Sequence, residues 1–542
     1  MFELPLTRST GLRISTGTPG WLLLLAAAAL SLAACSSSGP LSPTEASRQL
    51  DHDMFVTGLE DIDQVYITQP NIGAMAMAGM QQLSTLDPDV ATRRTGDTVE
   101  LLINNKPVES IAVSDSMDAR HWGEVAADVL DTARDDSQKI GKVPSEKLYE
   151  TMFSGVIGKL DAFSRYSSAA AARENQASRE GFGGIGVRIS VEDDQVKVFS
   201  VMHYTPADRL GVRPDDIVLM IDGVTTEGMS QQDVVDKLRG PVGSRVSLTL
   251  KRRGQDDSIE VSVIRAHVVP ESVAYQRQGD VAYFRIYNFN TGTTDSLRRA
   301  IRDSQAEIGE DLRGYILDLR GNPGGLLNQA VSISNLFLNH GRIVSTLGRH
   351  PDSHQFFEAA EGDITDGKPV VVLIDGNSAS AAEIVAAALQ DNERAVLVGS
   401  NSYGKGTVQT ILPMPNKGEI TLTWARFHAP SGYTLHHLGV LPTVCTVGQH
   451  DAGQLIAALA AGALQQVPTV KRNALHADDI AGMDALRRTC PARHDSDPID
   501  LETAMRILNR PTLFADALHL AQPPVQSASD NAQQQDELSV LP

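Results

Sequence analysis

Two side chains in the stretch from Pro369 to Ile411 have the types and spacing for hydrolysis: Ser380 and Lys405. A serine hydroxyl is a weak nucleophile until a base takes its proton, and a lysine amine serves as that base when it is neutral. Bringing a lysine from its ordinary pKa of about 10.4 into the 7–8 range takes about 4 kcal/mol of desolvation. The surroundings can supply it. PVVVLIDG (369–376) is an apolar, β-branched run closed by glycine, and RAVLVG (394–399) is a second; both have the character of buried strands. Between them NSASAAEIVAAALQDN (377–392) carries apolar residues at helical spacing, and SNSYGKGTVQT (400–410) is a glycine-rich loop. These patterns predict a strand–helix–strand unit with Ser380 at the helix start and Lys405 in the loop after the second strand. Ser380-Ala381-Ala382-Glu383 also fits a capping box, so the serine alone has a second, purely structural reading.

Taken together, N-S-A-S-A-A-E-I, A-L-Q-D and Y-G-K-G-T-V-Q resemble the carboxyl-terminal processing (tail-specific) peptidases, which use a Ser–Lys dyad. The resemblance implies that Ser380, the second serine of S-A-S, is the nucleophile. Lys405 would be the base, and Gln409, four residues later, would orient it. GYILDLRGNPGG (314–325) resembles the family segment that gives an amide to the oxyanion hole; Gly324 or Gly325 would pair there with the amide of Ala381. Such donors typically contribute on the order of 10²–10³ in rate each. Read by itself, NPGG simply makes a turn. ITLTWARFHAPSGYTLHHLGVLPTV (420–444) resembles the family's closing segment, which lines the peptide channel.

GFGGIGVRIS (181–190) satisfies G-x-G-x-x-G, but a polar, helix-like stretch precedes it and two strands follow, which excludes a dinucleotide site. It resembles instead the carboxylate-binding loop of a PDZ domain. Gly183, Gly184, Ile185, Gly186 and Val187 would then hold a peptide C-terminus and pair with its strand. TPADRLGVRPDDIVLMIDG (205–223) continues that resemblance, with Asp215 where the pattern has glycine. The histidines give another candidate activator: His428, His436 and His437 follow the serine, as a Ser–His–Asp order allows. G-N-S-A-S (376–380) lacks the second glycine of the G-x-S-x-G elbow, however, and adjacent His436 and His437 lack the i, i+4 spacing of a helical metal site. Neither a metal nor a cofactor is expected.

The 542-residue chain carries a net charge of −20, with 42% hydrophobic and 21% charged residues. That length predicts several domains, and the negative balance argues against nucleic acid as a partner. Arg8 and Arg13 precede WLLLLAAAALSLAA (21–34), too short to span a bilayer comfortably, and Leu32-Ala33-Ala34-Cys35 resembles a bacterial lipoprotein box. The expectation is a signal peptide over 1–35, lipid on Cys35, and a site in the cell envelope facing the periplasm, on the outer membrane. In that oxidising compartment the other two cysteines, Cys445 and Cys490, suggest a disulfide.

The expected fold is α+β and multidomain. A flexible tether over 36–47 leads to a mainly helical region over 48–175, with a short hairpin at 98–108. A PDZ domain follows over 176–268, then a protease core over 269–447, of the crotonase/ClpP-like type that the resemblance implies. A helical extension over 448–521 and a disordered tail over 522–542 complete the chain. The expected function is endoproteolysis of exported proteins near their C-termini, the PDZ domain holding the tail. Protein substrates with free C-termini are the expected partners and an adaptor protein a candidate one; the oligomeric state stays open. The alternative is a lipid-anchored PDZ scaffold without protease activity.

Overall fold

The computed structural model describes residues 42–360 and 362–522. The predicted signal peptide with Cys35, the first part of the tether and all but the first residue of the predicted tail lie outside the described residues. The chain divides into two compact units. One comprises the described residues of Arg173–Val408 and those from Trp424 onward; the other comprises those up to Ala172 together with Gln409–Thr423.

The first unit is built on a six-stranded sheet. Its strands run in the order Val273–Gln278, Val281–Ile286, Gly314–Asp318, Val370–Ile374, Ala395–Gly399 and Val444–Cys445. The first pair is antiparallel and every later neighbour is parallel. Gly314–Asp318, Val370–Ile374 and Ala395–Gly399 are buried at every position, as expected of parallel strands covered on both faces. Because these three are immediate neighbours, the loops leaving their carboxyl ends (319–326, 375–380 and 400–406) must lie side by side. Open parallel sheets place their ligands at that edge.

The segment expected as an extension over 448–521 is part of this core. Helices Ala452–Ala460, Pro498–Leu508 and Pro511–His519 put Leu455, Ile456, Ile507, Leu508, Leu513 and Ala517 into one cluster with Ile316, Val371, Leu373, Val396 and Val398 of the sheet. Their amphipathic pattern announces helices but does not name the surface that they cover. A core ending at 447 would leave one face of the sheet bare.

The same unit contains the predicted PDZ segment. Five antiparallel strands run in the order Ile259–Ile264, Arg245–Lys251, Ile217–Ile221, Gln195–Val201 and Val187–Glu192, leaving Val187–Glu192 at the edge. Helix Gln231–Leu238 packs onto them through Val234 and Leu238. Asp215 takes the left-handed conformation that glycine would take, at φ 69°, and its carboxylate meets Lys197 at 2.8 Å.

In the second unit helices Pro43–Val65, Ile72–Gln81, Ala119–Asp136 and Ser145–Ile157 bury Phe55, Met75, Met77, Met80, Trp122, Tyr149 and Phe153. The tether is shorter than expected. Ser42 caps the first helix, its hydroxyl accepting the Glu45 amide at 3.3 Å while the Glu45 carboxylate accepts the Ser42 amide at 2.9 Å. S-P-T-E is therefore a capping box with proline in the first turn, despite its loop-like composition. The hairpin at 98–108 is present, with Asn104 and Asn105 at φ 51° and 61°, but it carries a third strand, Val90–Thr95. That strand, VATRRT, buries only Val90 and Thr92, which hid its alternation.

Candidate active site

Ser380 stands where strand Val370–Ile374 turns into helix Ala381–Asp391. Its backbone is at φ 57°, ψ −115°, far from the extended conformation of an ordinary N-cap. A non-glycine residue held in that region is strained, and such strain persists only where its surroundings over-determine it. Ser378, the other serine of the turn, is fully buried and spoken for: its hydroxyl donates to the Leu319 carbonyl at 2.8 Å and accepts the Asp375 amide at 3.0 Å.

Glu383 joins the turn at Ser380 to the loop that carries Lys405. One carboxylate oxygen accepts the amides of Ser380 at 2.7 Å and Lys405 at 3.0 Å. The other accepts the Ser402 hydroxyl at 2.5 Å and the Gly404 amide at 2.6 Å. This carboxylate is wholly buried. Burial pushes its carboxyl up, and the four donated bonds act against that. The S-x-x-E pattern thus has one half of its capping function, the Glu383 contact to the Ser380 amide. The same side chain also fixes the loop that carries Lys405. The second role has no local sequence signature, because Ser402 and Gly404 are distant in the chain.

The NPGG turn closes the third side. Ala379 donates its amide to the Asn322 carbonyl at 2.9 Å, and Gly321 donates to Asp375 Oδ1 at 2.9 Å. At Gly324, φ 99°, an added Cβ would lie 2.8 Å from Ser380 Cβ and 2.7 Å from the Ala379 carbonyl. At Gly325, φ 148°, it would lie 2.2 Å from the Phe289 carbonyl. Both positions demand glycine. Gly324 turns its own amide onto Asn322 Oδ1 at 2.8 Å. Ala381 begins the helix, and among the described residues no acceptor takes its amide. A buried network supports this turn from below: Asp318 accepts Tyr283, Arg285 and Arg320, and Arg320 in turn donates to Asp500 at 3.1 Å.

Lys405 is half-buried between Gly404 and Gly406. Gln409 belongs to the second unit, where it is buried and donates to Thr423 Oγ1 at 3.2 Å. His436 and His437 meet edge to face, ring centroids 4.2 Å apart and planes at 60°, and His437 donates its amide to the Gly404 carbonyl. Burial pulls the His428 imidazole below its ordinary range. Among the described residues no group of three or more histidine, cysteine or acidic side chains is arranged to hold a metal ion. Cys445 and Cys490 have their sulfurs 2.05 Å apart and their Cα atoms 5.9 Å apart.

A groove of about 390 Å³ runs between the edge strand Val187–Glu192 and helix Gln231–Leu238. Gly184, Ile185, Gly186 and Val187 line it, with Val235 and Leu238 opposite. Gly183 does not: its carbonyl accepts the Gly240 amide and it pairs with His267. Arg239 closes one end, its guanidinium 4.2 Å from the Phe182 ring centroid.

Comparison with known proteins adds the following. The profile of peptidase family S41 matches residues 280–446, and that of the PDZ domain matches residues 198–252. A carboxy-terminal-processing protease of Bartonella bacilliformis is 42% identical over 301 residues, covering 55% of this chain and 69% of that protein. The carboxy-terminal processing protease CtpA of Bacillus subtilis is 34% identical over 307 residues, 56% of this chain and 65% of its own. A carboxyl-terminal-processing protease of Synechocystis is 35% identical over 266 residues, 48% and 61% of the two chains.

Proposed function

The chain belongs to peptidase family S41, among the carboxy-terminal-processing proteases, and on that premise we propose that it cleaves exported proteins near their C-termini with Ser380 as nucleophile and Lys405 as base. It is a serine-type peptidase with a PDZ domain. The observation that carries the assignment of residues is the Glu383 oxygen shared by the Ser380 and Lys405 amides. It draws both backbones to one point at the carboxyl ends of neighbouring strands.

In this reading a substrate tail lies along Val187–Glu192, adding a strand to the sheet edge, with its carboxylate at the amides of Gly184–Gly186. Neutral Lys405 takes the Ser380 proton as Oγ attacks the scissile carbonyl. The tetrahedral oxyanion is held by the Ala381 amide and one from Gly324–Gly325. Lys405 then returns the proton to the leaving amine, and the neutral Lys405 amine takes a proton from the water that releases the acyl group. The protein works from a lipid anchor on Cys35, facing the periplasm on the outer membrane. The Cys445–Cys490 bond forms there, and an adaptor protein is a further candidate partner.

The test is incubation of the soluble chain 36–542 with an unfolded protein, beside Ser380→Ala and Lys405→Ala. Cleavage by the wild type and none by either variant, with unchanged melting curves, is expected. Cleavage that survives in Ser380→Ala and disappears in Ser378→Ala would mean that the wrong serine has been assigned.

A further inference from the structure

Lys405 sits between two glycines, and Gly404 is at φ 92°, so the loop has little intrinsic stiffness. What holds it comes partly from beyond residue 446, outside the matched S41 span. Helix Ile480–Arg487 ends with Arg487 Nη1 donating to the carbonyls of His437 at 3.0 Å and Leu438 at 2.9 Å. His437 is itself bonded through its amide to the Gly404 carbonyl. The guanidinium reaches the base loop directly as well: a Cβ placed on Gly404 would lie 3.2 Å from Arg487 Nη1.

A few residues further on, the same segment grips the nucleophile turn. The Arg493 carbonyl accepts the Gly376 amide at 2.6 Å, and the His494 carbonyl accepts Asn377 Nδ2 at 2.6 Å. Arg493 is anchored in turn by two 2.7 Å bonds to the buried Asp500 carboxylate. Between the two grips Cys490 is bonded to Cys445 at the end of a core strand.

We propose that the segment from Arg487 to His494 is a clamp that sets the base loop against the nucleophile turn, with Arg487 the positioning residue for Lys405. The inference rests on the Ser380–Lys405 reading. Peptide hydrolysis needs the proton acceptor within hydrogen-bond reach of the hydroxyl, and a displacement of about 1 Å can cost about 10²-fold in rate. Arg487 also acts on the carboxylate that joins the two loops. Burial pulls the guanidinium below its ordinary range, and the Glu383 charge opposes that shift.

Steady-state cleavage of an internally quenched peptide with a free apolar C-terminus tests this in the soluble chain 36–542. Arg487→Met should lower kcat by about tenfold or more, with KM unchanged within about twofold. Arg487→Lys should recover part of kcat, since its ammonium can donate to the same carbonyls but lacks the planar guanidinium that fixes the direction. The exposed Lys471, outside the clamp, supplies the control, Lys471→Met, with kcat at the wild-type level. A melting curve and the folded fraction are measured for each variant. Wild-type kcat in Arg487→Met, or a loss that vanishes when rates are divided by the folded fraction, overturns the clamp while leaving the dyad. A wild type no faster than Ser380→Ala overturns the dyad, and the clamp with it.

Discussion

At Glu383 a single carboxylate takes four hydrogen bonds, one from the turn at Ser380 and three from the loop that carries Lys405. Glu383→Gln replaces one accepting oxygen by a donating amide, so two of the four donors lose their acceptor. Each buried donor left unsatisfied costs about 1–3 kcal/mol. The expected loss is therefore about 2–6 kcal/mol in urea unfolding, together with loss of cleavage. A variant with an unchanged midpoint would mean that the bridge contributes little. Gly324→Ala puts a methyl group 2.8 Å from Ser380 Cβ at a left-handed φ. Its kcat should fall about 10²-fold or more, and stability should fall by the left-handed strain of about 1–2 kcal/mol plus the cost of the contact with the Ala379 carbonyl. Full activity would remove NPGG from the site. The residue types were legible in the sequence: S-A-S, G-K-G and N-P-G-G each mark a loop. The bridge was not, because a glutamate three residues into a helix looks the same whether it caps that helix or also holds a distant loop.

The elements were legible wherever burial leaves a plain pattern. VVVLI and AVLVG are buried at every position and have no other reading than interior strands. VATRRT was missed because charged residues occupy its outer face, and the helices beyond 447 were recognised without their partner. In the second unit, helices Pro43–Val65 and Ala119–Asp136 bring Asp51 and Asp131 together beside Arg134. Burial, then the Asp51 carboxylate, pushes Asp131 up to about 6 from an ordinary value of 3.8. With the folded value raised, the contribution to stability is fully present below about pH 4 and is lost as pH rises through about 6. Asp131→Asn removes that titration. Its melting temperature should gain on the wild type as pH rises from about 4 to 6 and hold that gain above, and a difference that does not change with pH would contradict the assignment.

For the whole molecule, the C-terminal segment is the part that composition described worst. Arg320 meets Asp500, and the Arg493 carbonyl meets Gly376, across separations that no local pattern spans. The Cys445–Cys490 bond, with a sequence separation of 45, ties that segment to the core sheet. In the chain-entropy picture, closing such a loop stabilises by about 4 kcal/mol. The double variant Cys445→Ala/Cys490→Ala should lose a comparable amount in urea unfolding, and free thiols in the protein isolated without reductant would contradict the bond. The central claim, that Ser380 forms the acyl-enzyme with Lys405 as its base, is tested most directly by mass. A peptide ester mixed with the soluble chain 36–542 and quenched in acid should leave its acyl group on the tryptic peptide that contains Ser380. The fragment spectrum should place the acyl group on Ser380 itself, and Lys405→Ala should abolish the adduct. An acyl group on Ser378, or continued cleavage by Ser380→Ala, would contradict the account.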